Sequence, residues 1–251
     1  MPQSDILDIK TANYQSLTSL WRNVAVPLDG HQSHSNFETA IIPKSQWPNR
    51  LWFTSDINPE IVTEAKALIP IITPDGYPIV VPYFDIYNSN NHAHLDAAGF
   101  INKTELVAMS THLQDPYELN TSLTFQHVTT ESAAKTWTDL YPHAFNYIIA
   151  PKLLTYTMQD IHYTLAYKDN QPVGTGLLYT QNNLAGIYCV GVHPDFRRQG
   201  FAEHIMRHLL NLAIAQGYTR AVLQASTMGA GLYRKLGFQN DFIIKNYILA
   251  D

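Results

Sequence analysis

The chain reads as α/β, with a mixed, mostly antiparallel sheet flanked by helices, and three stretches carry that reading. The first is "IHYTLAYKDNQPVGTGLLYTQNNLAGIYCVGV", which holds strand-like runs rich in aromatic and β-branched residues, separated by the turn-forming "DNQP" and "QNN". Connections this short join antiparallel neighbours, so Ile161 to Val192 is expected to be a meander. In the second stretch Phe201, Ile205, Met206, Leu209, Leu210 and Ala213 share one helical face, with Gly217 following as a stop. The third, "TRAVLQAS", is an apolar strand after that helix. Strand, helix and strand then form a crossover with a parallel pair.

The remaining elements fill in around these. Upstream, Thr130 to Tyr141 and Phe145 to Thr157 have helical patterning, with Thr129 or Thr130 as an N-cap. Downstream, "MGAGLYRKLGF" reads as a short helix ending at Gly237, and "DFIIKNYIL" as a last strand. The amino-terminal half repeats this order faintly. "FETAIIP" and "NRLWFTS" resemble paired strands, "NPEIVTEAKALI" is a helix with Pro59 near its first turn, and "YPIVVPYF" is a strand. "AHLDAAGF" followed by "TELVAMSTHL" then parallels "AGLYRKLGF" followed by "DFIIKNYIL". A degenerate internal duplication and two unrelated α/β endings both fit that likeness. The polar "DPYELNTS", Asp115 to Ser122, marks the expected boundary between a smaller α/β half, 1–118, and a second domain, 119–251.

Composition narrows the function classes. A chain of 251 residues suits one large domain or two of ordinary size, and 45% apolar content supports a true core. A formal charge of −5 provides no general basic face, so nucleic acid is not an expected partner. Cys189 is the only cysteine, which excludes an intramolecular disulfide and fits a reducing compartment. "MPQSDILDIK" lacks a signal pattern, and no apolar run approaches the ~18 residues of a membrane span. The expectation is a soluble cytoplasmic protein with no membrane partner.

The stretch "VHPDFRRQGFAEHIMRHLL", Val192 to Leu210, points to chemistry. A strand that turns tightly into a helix leaves the first helical N–H groups unpaired at the positive end of the helix dipole, which suits an anion. Gly200 lets a phosphate approach the backbone with no Cβ in the way. Ala202 is small, and Arg197 and Arg198 add donor-rich positive charge. Taken alone, the same residues also describe a solvated turn.

Context makes the stretch specific. Val192-His193-Pro194, then Arg197-Arg198-Gln199-Gly200-Phe201-Ala202, then Leu232-Tyr233-Arg234-Lys235-Leu236-Gly237-Phe238 follow the meander in order. In this the chain resembles the GNAT superfamily of acetyl-CoA-dependent N-acetyltransferases, over about residues 120 to 251. The first half has no such corner; if it is a duplicate it has lost the cofactor site, which would make this a tandem protein with one competent half and a degenerate amino-terminal one. It implies acetyl-CoA as cosubstrate, its pyrophosphate on the backbone N–H groups of Arg198, Gln199, Gly200, Phe201 and Ala202, with Arg197 and Glu203 beside them. It also implies a pantetheine arm paired strand-fashion with Val190, Gly191 and Val192, at a bulge that Gly191 suits, where a backbone N–H holds the oxyanion. Tyr233 is the implied general acid, placed to protonate the departing thiolate. Relatives often carry an asparagine after the strand preceding the tyrosine helix. Here the run is Gln224-Ala225-Ser226-Thr227-Met228, and Ser226 is the substitute donor.

No acyl-enzyme nucleophile is needed, and Cys189 reads as a small core residue. The matching strands offer no acidic general base; Tyr188, His193, Gln224, Asp139 and His143 are candidate cleft residues. His31 with His34 and His92 with His94 lack a third ligand, so no metal is expected. Gly174-Thr175-Gly176 lies within a strand and not at a strand-to-helix corner, which argues against a dinucleotide site. The expected function is direct acetyl transfer, in a ternary complex, to a primary amine, more readily on a small molecule than on a protein. A non-catalytic acyl-CoA-binding or scaffold protein is the alternative.

Overall fold

A computed structural model describes residues 3–73, 76–86, 89–227 and 229–250. In chain order its elements are α1 (Gln3–Ala25), β1 (His31–Ser33), β2 (Phe37–Ala40), β3 (Arg50–Phe53), α2 (Pro59–Ile72), β4 (Val81–Phe84), α3 (Ala93–Ala97) and β5 (Phe100–His112). They continue as β6 (Thr124–His127), α4 (Glu131–Phe145), α5 (Pro151–Thr157), β7 (His162–Lys168), β8 (Gln171–Gln181), β9 (Leu184–Val192), α6 (Phe201–Ala215), β10 (Arg220–Ser226), α7 (Ala230–Lys235) and β11 (Gln239–Leu249). Three strands form one sheet, β1-β2-β3, and eight form another in the order β4-β11-β5-β10-β9-β8-β7-β6. This is the mixed, mostly antiparallel α/β architecture that the sequence predicts.

The fold comprises two compact units. One holds Met1–Ala108, Gln224–Gly231 and Asn240–Asp251. Its core gathers Phe37 and Leu51 from the small sheet, Val62, Ala65 and Ile69 from α2, Val81 from β4, Leu95 from α3 and Tyr247 from β11. Asn58 caps α2, its side-chain oxygen accepting from the N–H groups of Glu60 and Ile61 at 3.0 and 2.9 Å. Helix α1 has no counterpart in the sequence reading, and its composition explains why. Leu17, Leu20, Trp21 and Val24 are buried at helical spacing, but so are Asn13, Ser16, Thr18 and Ser19. Polar residues inside the buried face blur the periodicity by which such a helix is recognised.

The other unit holds Met109–Leu223 and Leu232–Gln239. The expected meander is present: β7, β8 and β9 pair antiparallel in succession. Its turns use left-handed residues, Asp169 and Asn170 (φ 51° and 64°) and then Asn182 and Asn183 (φ 47° and 61°). Such turns match the right-handed twist of hairpin strands. The crossover is present too, with Arg220 to Val222 of β10 parallel to Leu184 to Gly186 of β9. Thr130 caps α4 by accepting the Ala133 N–H at 3.2 Å.

One helix differs from expectation. Phe145 to Thr157 is not continuous: Asn146, at φ 60°, ends α4, and α5 starts at Pro151. Proline supplies a good first helical residue but disfavours helix in the residue before it.

The glycines of β8 explain how α6 reaches the sheet. A Cβ on Gly174 would lie 2.6 Å from Ile205 Cδ1 and 2.8 Å from the Gly191 carbonyl oxygen, and one on Gly176 would lie 2.8 Å from Leu209 Cδ1. "Gly-Thr-Gly" is a seat for a helix.

Candidate active site

At the end of β9 the chain passes through a short 3-10 turn, Pro194–Phe196, and enters α6 at Gly200. Arg198 and Gly200 are left-handed, at φ 63° and 79°. Gly200 precedes α6 with no side-chain cap, and the first amides that bond back are those of Glu203 and His204, both to the Gly200 carbonyl at 3.0 and 3.2 Å. The backbone N–H groups of Arg198, Gln199, Gly200, Phe201 and Ala202 have no acceptor among the described residues. Five successive free donors at the positive end of a 15-residue helix make a strong anion seat.

The two arginines divide their work. Arg197 donates from Nε to the Val192 carbonyl at 3.3 Å and from Nη2 to that of His143 at 3.5 Å, tying the corner to β9 and α4. Arg198 is exposed and makes no hydrogen bond or ion pair among the described residues, so its charge is free for a ligand. The Glu203 carboxylate would repel an anion, but it is turned to Arg207 Nη2 at 2.6 Å.

A partly open cavity of about 220 Å³ lies at this corner. It is lined by Val192, Arg197, Arg198, Gly200, Phe201, Ala202 and Glu203, which the sequence singles out, and by Phe196 and Leu232, which it does not. Phe196 lies inside the "HPDFRR" run, and Leu232 is the first residue of the tyrosine motif. Proximity in sequence was the only signal for either. The remaining expected residues lie outside the lining. Val190 and Gly191 precede it on β9, and Gln199 is exposed at the turn. Ser226 ends β10, where its Oγ accepts the Gly229 N–H at 3.2 Å; Met228 lies outside the described residues.

Strand β9 bulges just before the corner. Thr175 pairs with Gly191 and Leu177 with Tyr188, so Gly176 faces both Cys189 and Val190. The bulge was expected, but Gly191 has another role. The left-handed residue is Cys189, at φ 55°. Gly191 is small because a Cβ there would lie 2.5 Å from Phe145 Cε2 and 2.7 Å from Ala144 Cβ, where α4 ends against the strand. Thr175 Oγ1 donates to the Cys189 carbonyl at 2.9 Å. Burial pushes the Cys189 thiol up to about 12, offset in part by its hydrogen bond with Tyr141, so it stays a neutral thiol near pH 7.

Tyr233 follows Leu232 on α7. It is half-buried, with its ring 6.2 Å from that of Phe238, and its hydroxyl has no hydrogen-bond partner among the described residues. Burial pushes the phenol up to about 12, so it is protonated throughout the neutral range. Of the candidate cleft residues, Asp139 is paired with Lys135 at 2.6 Å and Gln224 donates to Asn13 Oδ1 at 2.7 Å. Tyr188 is buried. The rings of His143 and His193 stand 4.6 Å apart, and His193 Nδ1 accepts the Asp195 N–H at 3.3 Å. Three of the four paired histidines have other contacts: His31 bonds Glu38 at 2.7 Å, His34 stacks on Phe37, and His92 Nε2 lies 3.0 Å from Lys245 Nζ.

Residues 126–238 match the Acetyltransferase (GNAT) family. The chain is 32% identical over 84 residues to the protein YyaT of Bacillus subtilis (strain 168), a match covering 33% of this chain and 57% of YyaT. It is 29% identical over 80 residues to a second protein of that organism, covering 32% of this chain and 54% of the other. The chain thus spans little more than half the length of these curated relatives. Among solved structures, it is similar to a GCN5-related N-acetyltransferase from Kribbella flavida, with a TM-score of 0.72 at 14% identity over 98% of this chain and 95% of that one. A GCN5-related N-acetyltransferase from Sphaerobacter thermophilus has a TM-score of 0.65, also at 14% identity, over 85% and 76%. At such identities the likeness is one of fold. Residues 126–238, which carry the meander, the open-amide corner and the tyrosine helix, are thus the part of the chain that matches the GNAT family of acetyltransferases, and the fold is one shared with GCN5-related N-acetyltransferases.

Proposed function

We propose that the protein is an acetyl-CoA-dependent N-acetyltransferase that moves the acetyl group directly to a primary amine, a small molecule in preference to a protein, in a ternary complex. The observation that carries this reading is the run of amides from Arg198 to Ala202 that have no acceptor among the described residues, with the Arg198 side chain unpaired among those residues as well. That donor set fits a pyrophosphate, and Gly200 leaves the approach open, because a Cβ there would meet nothing nearer than 3.8 Å. Acetyl-CoA supplies the activated acetyl group as a thioester; the residues supply position and protons. At the bulge the main chain of Val190, Gly191 and Val192 would receive the pantetheine arm, and a backbone N–H there would stabilise the charge developing on the carbonyl oxygen. As the amine nitrogen bonds to the acetyl carbon, the carbon–sulfur bond breaks and sulfur leaves with its electron pair. Tyr233 gives its phenolic proton to that sulfur and is reprotonated from solvent. The amine releases its own proton to water.

The same reading takes residues 1–118 as a degenerate copy of the second half, residues 119–251. Its support is the strand order β4-β11-β5-β10, which is unchanged when β4 is exchanged with β10 and β5 with β11. Those are the strands that the two similar segments, α3 to β5 and α7 to β11, place in equivalent positions.

The test is thermal denaturation with and without acetyl-CoA, for the wild type and for Arg198→Glu combined with Gly200→Asp. A ligand at about 100 times its dissociation constant stabilises by roughly 2.7 kcal/mol, a rise of several degrees. The wild type should show that rise and the folded double variant should lose it. An unchanged midpoint at millimolar acetyl-CoA would overturn the proposal.

A further inference from the structure

The connector between β5 and β6 reads in sequence as a polar boundary, yet its hydrogen bonds describe a fastening. The amide N–H of Tyr117 donates to Asn211 Oδ1 at 2.7 Å, and Asn211 Nδ2 donates to the Tyr117 carbonyl at 2.8 Å. Arg207 Nη1 donates to the neighbouring Glu118 carbonyl at 2.8 Å. Asn211 and Arg207 share the helix that opens at the anion corner, one turn apart. Arg207 is also the residue that holds the Glu203 carboxylate at the cavity. From this seat the Tyr117 hydroxyl reaches the other wall and donates to the Leu236 carbonyl at 3.1 Å. Thr111 Oγ1, from the end of β5, donates to the next carbonyl, that of Gly237, at 3.1 Å. These two carbonyls close α7. The turn they define returns to the tyrosine, whose own carbonyl accepts the N–H groups of Leu236 and Phe238, both at 3.0 Å.

We infer that this connector is a strap that fixes the helix carrying Tyr233 against the helix carrying the anion corner, with Tyr117 as the positioning residue for Tyr233. The inference rests on the proposed function for what Tyr233 does, though not for where it is held. The chemistry suits the role. A helix C-terminus has carbonyls with no intrahelical donor, and Tyr117 and Thr111 bring donors from outside the helix. The Tyr117 phenol is raised by burial, so it donates steadily through the neutral range. Because the Tyr233 hydroxyl has no partner among the described residues, its place depends on the backbone of α7. A small displacement there moves a general acid out of reach of its sulfur.

Tyr117→Phe removes one oxygen and leaves the ring. With acetyl-CoA and an accepted amine, kcat should fall about tenfold while KM for acetyl-CoA changes less than about twofold, because one hydrogen bond is lost and the anion corner is untouched. In a Tyr233→Phe background the same substitution should change kcat no further, and Asn211→Asp should reproduce the loss if Tyr117→Phe fails to fold. Hydrogen exchange gives a readout free of activity: the amides of Leu236 and Phe238 should exchange at least about tenfold faster in Tyr117→Phe, with those in the middle of α6 unchanged. Unaltered exchange at both amides, or additive losses in the double variant, would overturn the strap. A wild type that turns over no amine, but whose Leu236 and Phe238 amides are released by the substitution, would count against the proposed function and for the strap.

Discussion

Arg197 and Arg198 are neighbours in sequence, but only one has a guanidinium with no partner among the described residues. Two substitutions should therefore part company. Arg198→Glu is expected to weaken acetyl-CoA binding by tenfold or more, roughly the effect of losing a charge-assisted contact, with little change in the midpoint of the free protein. Arg197→Glu loses donors to the Val192 and His143 carbonyls and should lower that midpoint as well. Thermal denaturation with and without the ligand reads both effects. Equal loss of binding with no difference in free-protein stability would refute the division. Tyr233→Phe should lower kcat by about a hundredfold and leave KM for acetyl-CoA nearly unchanged, as expected for a general acid. The sign of its pH dependence follows from burial. A phenol pushed up to about 12 is protonated below about pH 11, so the Tyr233 proton should impose no loss of activity between pH 7 and 10. A basic limb in that range which Tyr233→Phe abolishes would contradict this.

The elements were legible wherever their pattern was local. Paired asparagines at the β8–β9 turn, a stripe of apolar residues along α6 and a threonine before α4 each encode structure within a few residues. Hidden features depended on distant partners. The buried face of α1 includes Asn13, whose amide meets Asp241 at 3.1 Å and whose oxygen receives Gln224, contacts more than two hundred residues away along the chain. The site divides in the same manner: the corner is one continuous motif and is readable, with Phe196 inside it, but Leu232, some thirty residues further on, joins its cavity only through folding. Glycine tolerates irregular backbone, so the sequence points to Gly191 for the bulge, yet Cys189 takes the left-handed conformation and Gly191 yields space to Phe145. Gly174→Ala sets a methyl 2.8 Å from the Gly191 carbonyl oxygen, which is backbone and cannot swing aside, and should destabilise the protein by about 1–3 kcal/mol. Urea denaturation would measure it, and a neutral effect would mean that α6 and β9 are free to shift.

For the whole molecule, acid should act on the two units in different pH windows. In the unit that carries the anion corner, three histidines from three elements meet. The rings of His127 on β6 and His162 on β7 are stacked 3.9 Å apart, and His208 on α6 is stacked on Phe125 at 4.0 Å. Burial lowers all three, and for His162 the neighbouring His127 and His208 lower it further, to about 4. A histidine with a depressed pKa in the folded state binds protons more readily when unfolded, so its stability contribution is complete above about pH 6.5 and is lost as the pH falls towards 4. Partial exposure screens the effect, which leaves roughly 1–2 kcal/mol for His162. The other unit depends on Glu38. Burial would raise its carboxyl, but hydrogen bonds from Arg22 and His31 outweigh burial and hold it below the ordinary range. That contribution is complete above about pH 4.5 and is lost only at lower pH. The unit with the histidines should therefore loosen first on acidification. Hydrogen exchange at pH 7.5, 5.5 and 4.5 would resolve the two, with protection in β6, β7 and α6 falling between the first two values while that in β2 and β3 persists. His162→Phe keeps an aromatic ring against His127 and removes the most perturbed proton site, so it should flatten the fall between pH 6.5 and 4.5. If the substituted protein loses protection as steeply as the wild type, the histidine cluster does not set the acid response.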